Sequence, residues 1–308
     1  MAAAALAAPA TGARCCRGPG RVHRSTAMGP DDLPLAGKIA FVTGSARGIG
    51  RAIAIALADA GADIAIADLH PEPFRGEPYY RLRQRVSGDD EAVSTAEVVR
   101  GRGRRAVTVA VDVADADAVV AAAAQCESDL GPIDILVNNA GIVNNIAPIA
   151  TMAPAAWQHE LTVNLSSMFH TVRAIVPGMA ERGWGRVINL ASIGGVQPGA
   201  GQPAYTASKA GVIGFTRSVA QEFGARGVTA NSILPGLIAT PLVLSMPEVL
   251  RAAYVARTPA ARLGTPEDIG HLAVFLALPA SGFITAAEIP CDGGILHAPL
   301  AGLDAPRR

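Results

Sequence analysis

The sequence predicts an α/β fold, a single doubly wound parallel sheet of the Rossmann type with helices on both faces, and three observations carry that expectation. Short apolar runs alternate with stretches of helical periodicity from residue 36 to residue 296. The first run breaks into a glycine turn that opens a helix, Thr43-Gly-Ser-Ala-Arg-Gly-Ile-Gly50. Polar and small residues then recur at the ends of the apolar runs, where ligands bind such sheets.

Ile39 to Val42 forms the first strand, and Ile49, Ile53, Leu57 and Ala60 follow the turn at helical spacing. Gly61 stops that helix, and Asp63 to Ala67 forms a second strand ending in Asp68. Gly44, Gly48 and Gly50 let a ligand approach the backbone, and the helix behind them offers N–H groups and a positive dipole end to a pyrophosphate. Asp68 lies twenty residues after Gly48, where a carboxylate can hold the adenosine ribose hydroxyls. A 2′-phosphate would meet that carboxylate at close range. Two unit charges ~4 Å apart at an effective dielectric of ~20 repel by roughly 4 kcal/mol, about a thousandfold in affinity. NAD is therefore expected over NADP. Arg47 is the counter-signal, because a guanidinium in the turn could reach a 2′-phosphate; a solvated loop arginine is the alternative.

His70 to Asp90, rich in Pro, Arg and Gly, interrupts the alternation and reads as an insertion at the adenosine end. A helix from Ala92 to Val99 ends at Gly101 and Gly103, and Ala106 to Val111 is a third strand closing on Asp112-Val113. Asp112 suits an adenine amino group, with a turn-forming Asp as the rival. A helix over Ala114 to Leu130 stops at Gly131-Pro132, and the strand Asp134 to Val137 ends in Asn138-Asn-Ala-Gly141. One long helix is expected from Pro154 to about Arg182, carrying Asn164. Strand Arg186 to Leu190 leads to Ser192, then to a helix from Tyr205 to Phe223 that places Tyr205 and Lys209 on one face. Val228 to Leu234 is a sixth strand ending at Pro235-Gly236. An apolar flap over Leu242 to Tyr254, a helix over Pro266 to Leu278 and a last strand over Phe283 to Cys291 complete the pattern.

With 308 residues, 50% hydrophobic and 17% charged, the chain has ample material for a buried core. Zero formal net charge argues against nucleic acid or an anionic membrane as partner. No apolar run is long enough to span a bilayer. The four cysteines show neither metal-ligand nor redox spacing, so no metal site and a reducing cytoplasm are expected. Residues 1–33 read as an N-terminal extension, Ala-rich and then Arg-rich, 34–296 as the domain, and 297–308 as a tail. A disordered tail or upstream sequence before Met28 is preferred for the extension over a transit peptide.

The strand ends bring the Ser192 hydroxyl, the Tyr205 phenol and the Lys209 ammonium towards one place. A phenol, with a reference pKa near ~10, is a poor base at neutrality, and a nearby ammonium together with an oxidised nicotinamide ring favours phenolate. Tyr205 could then take a proton from an alcohol while hydride leaves its carbon.

These residues carry a resemblance. Thr43-Gly-x-x-x-Gly-x-Gly50, Asn138-Asn-Ala-Gly141, Ser192, Tyr205-x-x-x-Lys209 and Pro235-Gly236 with Thr240 together resemble the single-domain branch of the short-chain dehydrogenase/reductases, over residues 36 to 296. The resemblance implies Tyr205 as acid/base, Ser192 as positioner of the substrate oxygen, and Lys209 as ribose ligand and tuner of Tyr205. It implies that Asn164 holds a water relaying the proton. Around the adenosine and pyrophosphate it implies Gly44, Ser45, Arg47, Gly48, Ile49, Gly50, Asp68, Leu69, Asp112 and Val113. Towards the nicotinamide it implies Asn139, Ala140, Gly141, Tyr205, Lys209, Pro235, Gly236, Ile238 and Thr240. A homotetramer or dimer built on the helices of Asn164 and Tyr205 is implied as well.

The expected activity is hydride transfer between NAD(H) and a secondary alcohol or ketone. Apolar residues Ile146 to Ile149, Leu242, Val243, Leu244 and Met246 point to a fairly hydrophobic one. A 3-oxoacyl reductase-like enzyme and a non-catalytic dinucleotide sensor are the alternatives. The insertion after Asp68 is similar to carveol dehydrogenases and mycofactocin-linked alcohol dehydrogenases, which hold NAD without exchange. Ala286 stands where relatives tend to carry Gly, which puts the local turn in question.

Overall fold

A computed structural model describes residues 32–70, 94–143 and 146–298. The N-terminal extension up to residue 31, nearly all of the insertion after Asp68 and the end of the tail lie outside them. Seven parallel strands form one sheet in the order β3-β2-β1-β4-β5-β6-β7. They are β1 (Ile39–Thr43), β2 (Asp63–Asp68), β3 (Ala106–Ala110), β4 (Ile135–Asn138), β5 (Gly185–Leu190), β6 (Val228–Pro235) and β7 (Glu288–Cys291). The central strands are apolar along both faces because both faces are covered.

Helices α1 (Gly48–Asp59), α2 (Thr95–Gly101) and α9 (Pro266–Ala277) cover one side, where Ile53, Leu57, Val99 and Ile269 pack on Val42, Ile64 and Ile135. Helices α3 (Ala116–Asp129), α5 (Ser167–Glu181) and α6 (Pro203–Phe223) cover the other, where Val119, Val176, Met179 and Val219 pack on Phe41, Leu136 and Val187. The order reverses between β1 and β4, so a crevice opens beyond the carboxyl ends of these two strands.

Three expectations are corrected. The helix from Pro154 to Arg182 is not continuous: α4 (Pro154–Leu161) gives way to a π-helical turn, Thr162–Ser166, before α5. Asn164 sits in that turn, and its side chain is tied outside the helix to Ile142 and Ser208, which accounts for the local widening of the helix. The flap over Leu242 to Tyr254 is two helices, α7 (Pro241–Leu244) and α8 (Glu248–Arg257), with Pro247 at the break. The last strand shortens from Phe283–Cys291 to Glu288–Cys291, because the preceding residues serve β6 sideways: Thr285 Oγ1 accepts from Ala230 N–H at 3.1 Å and the Ile284 carbonyl accepts from the Asn231 amide at 2.8 Å.

Ala286, in that segment, has φ +58°, so the turn is kept by a residue that pays for the left-handed conformation. The strain is of order 1–2 kcal/mol, part of which Gly would give back through greater freedom when unfolded. Ala286→Gly is expected to stabilise the fold by about 0.5–1 kcal/mol, read as a higher midpoint in urea with an unchanged slope. An unchanged or lower midpoint would contradict this.

Candidate active site

The glycine turn leaves β1 with Gly44 at φ +64° and enters α1 with Gly48 at φ +57°. Space is as restrictive as torsion. A Cβ on Gly50 would lie 2.2 Å from the Gly44 carbonyl oxygen, and one on Gly44 would lie 2.9 Å from Ala140 Cα. The turn is held from beneath by β4. Asn139 donates its side-chain amide to the carbonyls of Thr43 and Gly44, each at 3.0 Å, while Thr43 Oγ1 accepts the backbone N–H groups of Asn139 and Ala140, also at 3.0 Å. Arg47 occupies the N-cap of α1 without a side-chain capping bond, and no acid lies in the first turn. Those N–H groups and the dipole end face the crevice, as a pyrophosphate requires.

Asp68 reaches this turn from the tip of β2: Oδ2 accepts from Ala46 N–H at 3.0 Å and Oδ1 from His70 N–H at 3.3 Å. The glycine turn and this carboxylate therefore stand together at the carboxyl ends of β1 and β2. Leu69 beside it is 43% exposed, available to a flat ring. Asp112, past the tip of β3, accepts from Ala114 N–H at 2.9 Å, so the turn-forming role is present in an otherwise exposed acid. Thr240, the N-cap of α7, stands over the turn, with Cγ2 3.8 Å from where a Gly48 Cβ would be. Gly236 packs against Asp292, where a Cβ would meet Cα at 2.8 Å.

Some predicted contacts point inward instead. Ser45 is fully buried and donates to the Val42 carbonyl at 2.7 Å. The side chains of Val113 and Ile238 are buried, and Ile49 packs partly buried against the α1 face of the core. These four can offer a cofactor their backbone, not a side-chain function.

Ser192, Tyr205 and Lys209 come together on the other side of the crevice. Ser192 follows β5 and its Oγ accepts from Gly194 N–H at 3.0 Å. The Tyr205 ring stands beside Ser192. A Cβ on Gly194 would lie 3.2 Å from the Tyr205 ring and 3.4 Å from Ser192 Oγ, so this glycine lets the two side chains close up. One turn along α6, Lys209 is buried, with Nζ 5.8 Å from the Tyr205 ring centre and donating to the Leu190 carbonyl at 2.8 Å. Lys209 Nζ and Asn164 Oδ1 both adjoin Gly141, at 3.5 and 3.1 Å from where its Cβ would be. Asn164 Oδ1 accepts from Ile142 N–H at 2.7 Å, and Nδ2 donates to the Ile142 carbonyl at 2.8 Å and Ser208 Oγ at 3.2 Å. Its amide thus locks the chain after β4 onto α6.

The electrostatics of the protein alone differ from the expectation that Lys209 drives Tyr205 towards phenolate. Burial dominates and pushes the Tyr205 phenol above its ordinary value; the Ser192 hydrogen bond opposes this, and Glu160 adds to it. Burial also brings the Lys209 ammonium down to about 8, against the carboxylate of Glu160. Stabilisation of phenolate therefore depends on what arrives with the ligands.

Two residues do work that the sequence did not assign to them. Thr43 ties β1 to β4 through its hydroxyl, and its place directly before Gly44 was the available signal. Glu160 is a buried carboxylate one helical turn before Asn164, a position the pattern left unremarked.

A parallel sheet with a dinucleotide seat at its switch point and a Ser, Tyr and Lys group across the crevice defines a nicotinamide-dependent oxidoreductase. A family model described as enoyl-(acyl carrier protein) reductase matches residues 44–296. The chain is 40% identical over 258 residues to nodulation protein G of Azospirillum brasilense, covering 84% of this chain and 98% of that one. It is 39% identical over 261 residues to acetoacetyl-CoA reductase of Shinella zoogloeoides, with 83% and 98% covered. A solved structure from Sinorhizobium meliloti 1021, described as a short-chain alcohol dehydrogenase, superposes with a TM-score of 0.76 at 34% identity, over 87% of this chain and 99% of that one. The protein belongs to the short-chain dehydrogenase/reductase family and is an oxidoreductase acting on alcohol or keto groups. Among the described residues no helix is long and apolar enough to cross a membrane.

Proposed function

We propose that the protein transfers hydride between NAD(H) and a fairly hydrophobic secondary alcohol or its ketone, with Tyr205 as acid/base. The observation that carries this reading is the approach of the Tyr205 ring and Ser192 Oγ to one another about Gly194, with Lys209 buried one turn along the same helix, opposite the glycine turn. When bound, the nicotinamide supplies or accepts the hydride. Ser192 donates to the substrate oxygen and fixes it beside Tyr205. In oxidation the phenolate takes the hydroxyl proton; in reduction the phenol returns it. The Lys209 ammonium, one turn from Tyr205, offers donors to the ribose and, together with the oxidised nicotinamide, would favour phenolate. The Asn164 side chain is spent on Ile142 and Ser208, so a relay water here would be met by the main chain of the π turn.

The substrate class follows from the rim. Ile146 and Ile149 beyond β4, Val196 beyond β5 and Leu244 beyond β6 are all more than half exposed, and all stand at the carboxyl end of the sheet. The first two loops are bonded together, Ala147 N–H to the Gly201 carbonyl at 2.8 Å, which joins their apolar residues into one rim. The names of the relatives favour a second reading, a 3-oxoacyl thioester reductase. A panel of alcohols, ketones and acetoacetyl-CoA, followed at the absorbance of reduced nicotinamide, separates the two. Turnover of bulky secondary alcohols with NAD supports the first reading; efficient turnover of the thioester alone replaces it.

We further propose a cytoplasmic homo-oligomer, with the domain ending near residue 296. Ala207, Ala210 and Gly214 line an accessible stripe on α6, and Phe169 on α5 is 52% exposed. Light scattering is expected to give a dimer or tetramer, and a monomer at micromolar concentration would refute it.

A further inference from the structure

Glu160 has no part in the chemistry just described, yet its side chain is only 1% exposed. It lies on α4, and α4 packs on α6, the helix of Tyr205 and Lys209. The register can be worked out. Helices following β4 and β5 run in the same direction, because all the strands are parallel. Asn164 bonds Ser208 across the two helices at 3.2 Å, and a Cβ on Gly211 would press on Leu165 Cδ2 at 2.7 Å. Moving back one turn on both helices sets Glu160 opposite Ala204 and Tyr205. The first turn of α6 is where the phenol begins.

Among the described residues, the titratable groups facing this carboxylate from α6 are Tyr205 and Lys209. The π turn contributes only the amide of Asn164, and the neighbour on α4, His159, is exposed. The influence is visible at both groups: Glu160 raises the phenol and opposes the fall of the ammonium.

We propose that Glu160 is a positioning residue for the reaction, a buried carboxylate at the Tyr205 end of α6 that keeps Lys209 protonated and sets the pH at which Tyr205 gives up its proton. This rests on the reading of Tyr205 as acid/base. A fixed negative charge disfavours phenolate and favours ammonium. Its removal lowers both transitions, so the acidic limb of alcohol oxidation moves to lower pH.

The test is the pH profile of kcat/KM for oxidation at saturating NAD. Glu160→Gln is expected to move the acidic limb down by about 0.5 unit or more, and Glu160→Asp, which keeps the charge, to leave it near the wild type. Glu160→Met, similar in volume and free of the cost of a buried charge, serves as a second neutral variant should the glutamine protein fold poorly. A purely structural role would lower activity at every pH without moving the limb. Unmoved limbs in the neutral variants, with Tyr205→Phe inactive, would overturn the role of Glu160 alone. Full turnover in Tyr205→Phe would overturn the catalytic reading beneath it.

Discussion

Tyr205→Phe is expected to lower turnover at least about a hundredfold while cofactor binding survives. The substitution removes one oxygen. The ring keeps its place beside Gly194, and α6 keeps its packing, so folding should be little affected. What disappears is the group that would exchange a proton with an oxygen held by Ser192. Lys209, one turn further along α6, keeps its Nζ on the Leu190 carbonyl at 2.8 Å and is expected to stay in place in the variant. Fluorescence titration with reduced cofactor should give a dissociation constant within about threefold of the wild type, because the adenosine and pyrophosphate contacts lie across the crevice. Unchanged turnover would reject the assignment.

The second large effect concerns cofactor choice. Close-range repulsion between Asp68 and a 2′-phosphate would be worth roughly 4 kcal/mol in a sheltered site, but Asp68 is half-exposed and solvent screens it. Removing its charge is therefore expected to change the ratio of kcat/KM for NAD over NADP by about tenfold to a hundredfold. Asp68→Ala also deletes the acceptor for Ala46 N–H. Asp68→Asn keeps an acceptor there and isolates the charge. Both variants should relax the preference, with alanine losing more overall affinity. A wild-type enzyme that already turns over NADP faster would defeat the charge argument.

Much of this architecture was legible because its physics is local. Strands buried on both faces announce themselves as apolar runs, and the glycine turn needs residues without Cβ where Gly50 meets the Gly44 carbonyl. The Tyr205–Lys209 spacing is a helix property and held. Features that depend on contacts between distant segments were less visible. The π turn exists because Asn164 is recruited by Ile142 and Ser208, and nothing in the periodicity of 154–182 reports that. The retreat of β7 depends on Thr285 and Ile284 bonding sideways to β6, and the sequence continues apolar there. Glu160 was invisible for the same reason: burial beside α6 is a fact of helix register. The burial that raises the Tyr205 phenol in the protein alone was hidden likewise, since it depends on what packs around α6.

The Thr43 and Asn139 bonds beneath the glycine turn have a kinetic corollary. A seat already cross-braced to the neighbouring strand has little freedom left to surrender when a nucleotide docks, so association should proceed in a single fast phase without a slow rearrangement. Slackening the brace, as in Asn139→Ala, would convert part of the binding free energy into the work of shaping the loop, and tightness would fall with it.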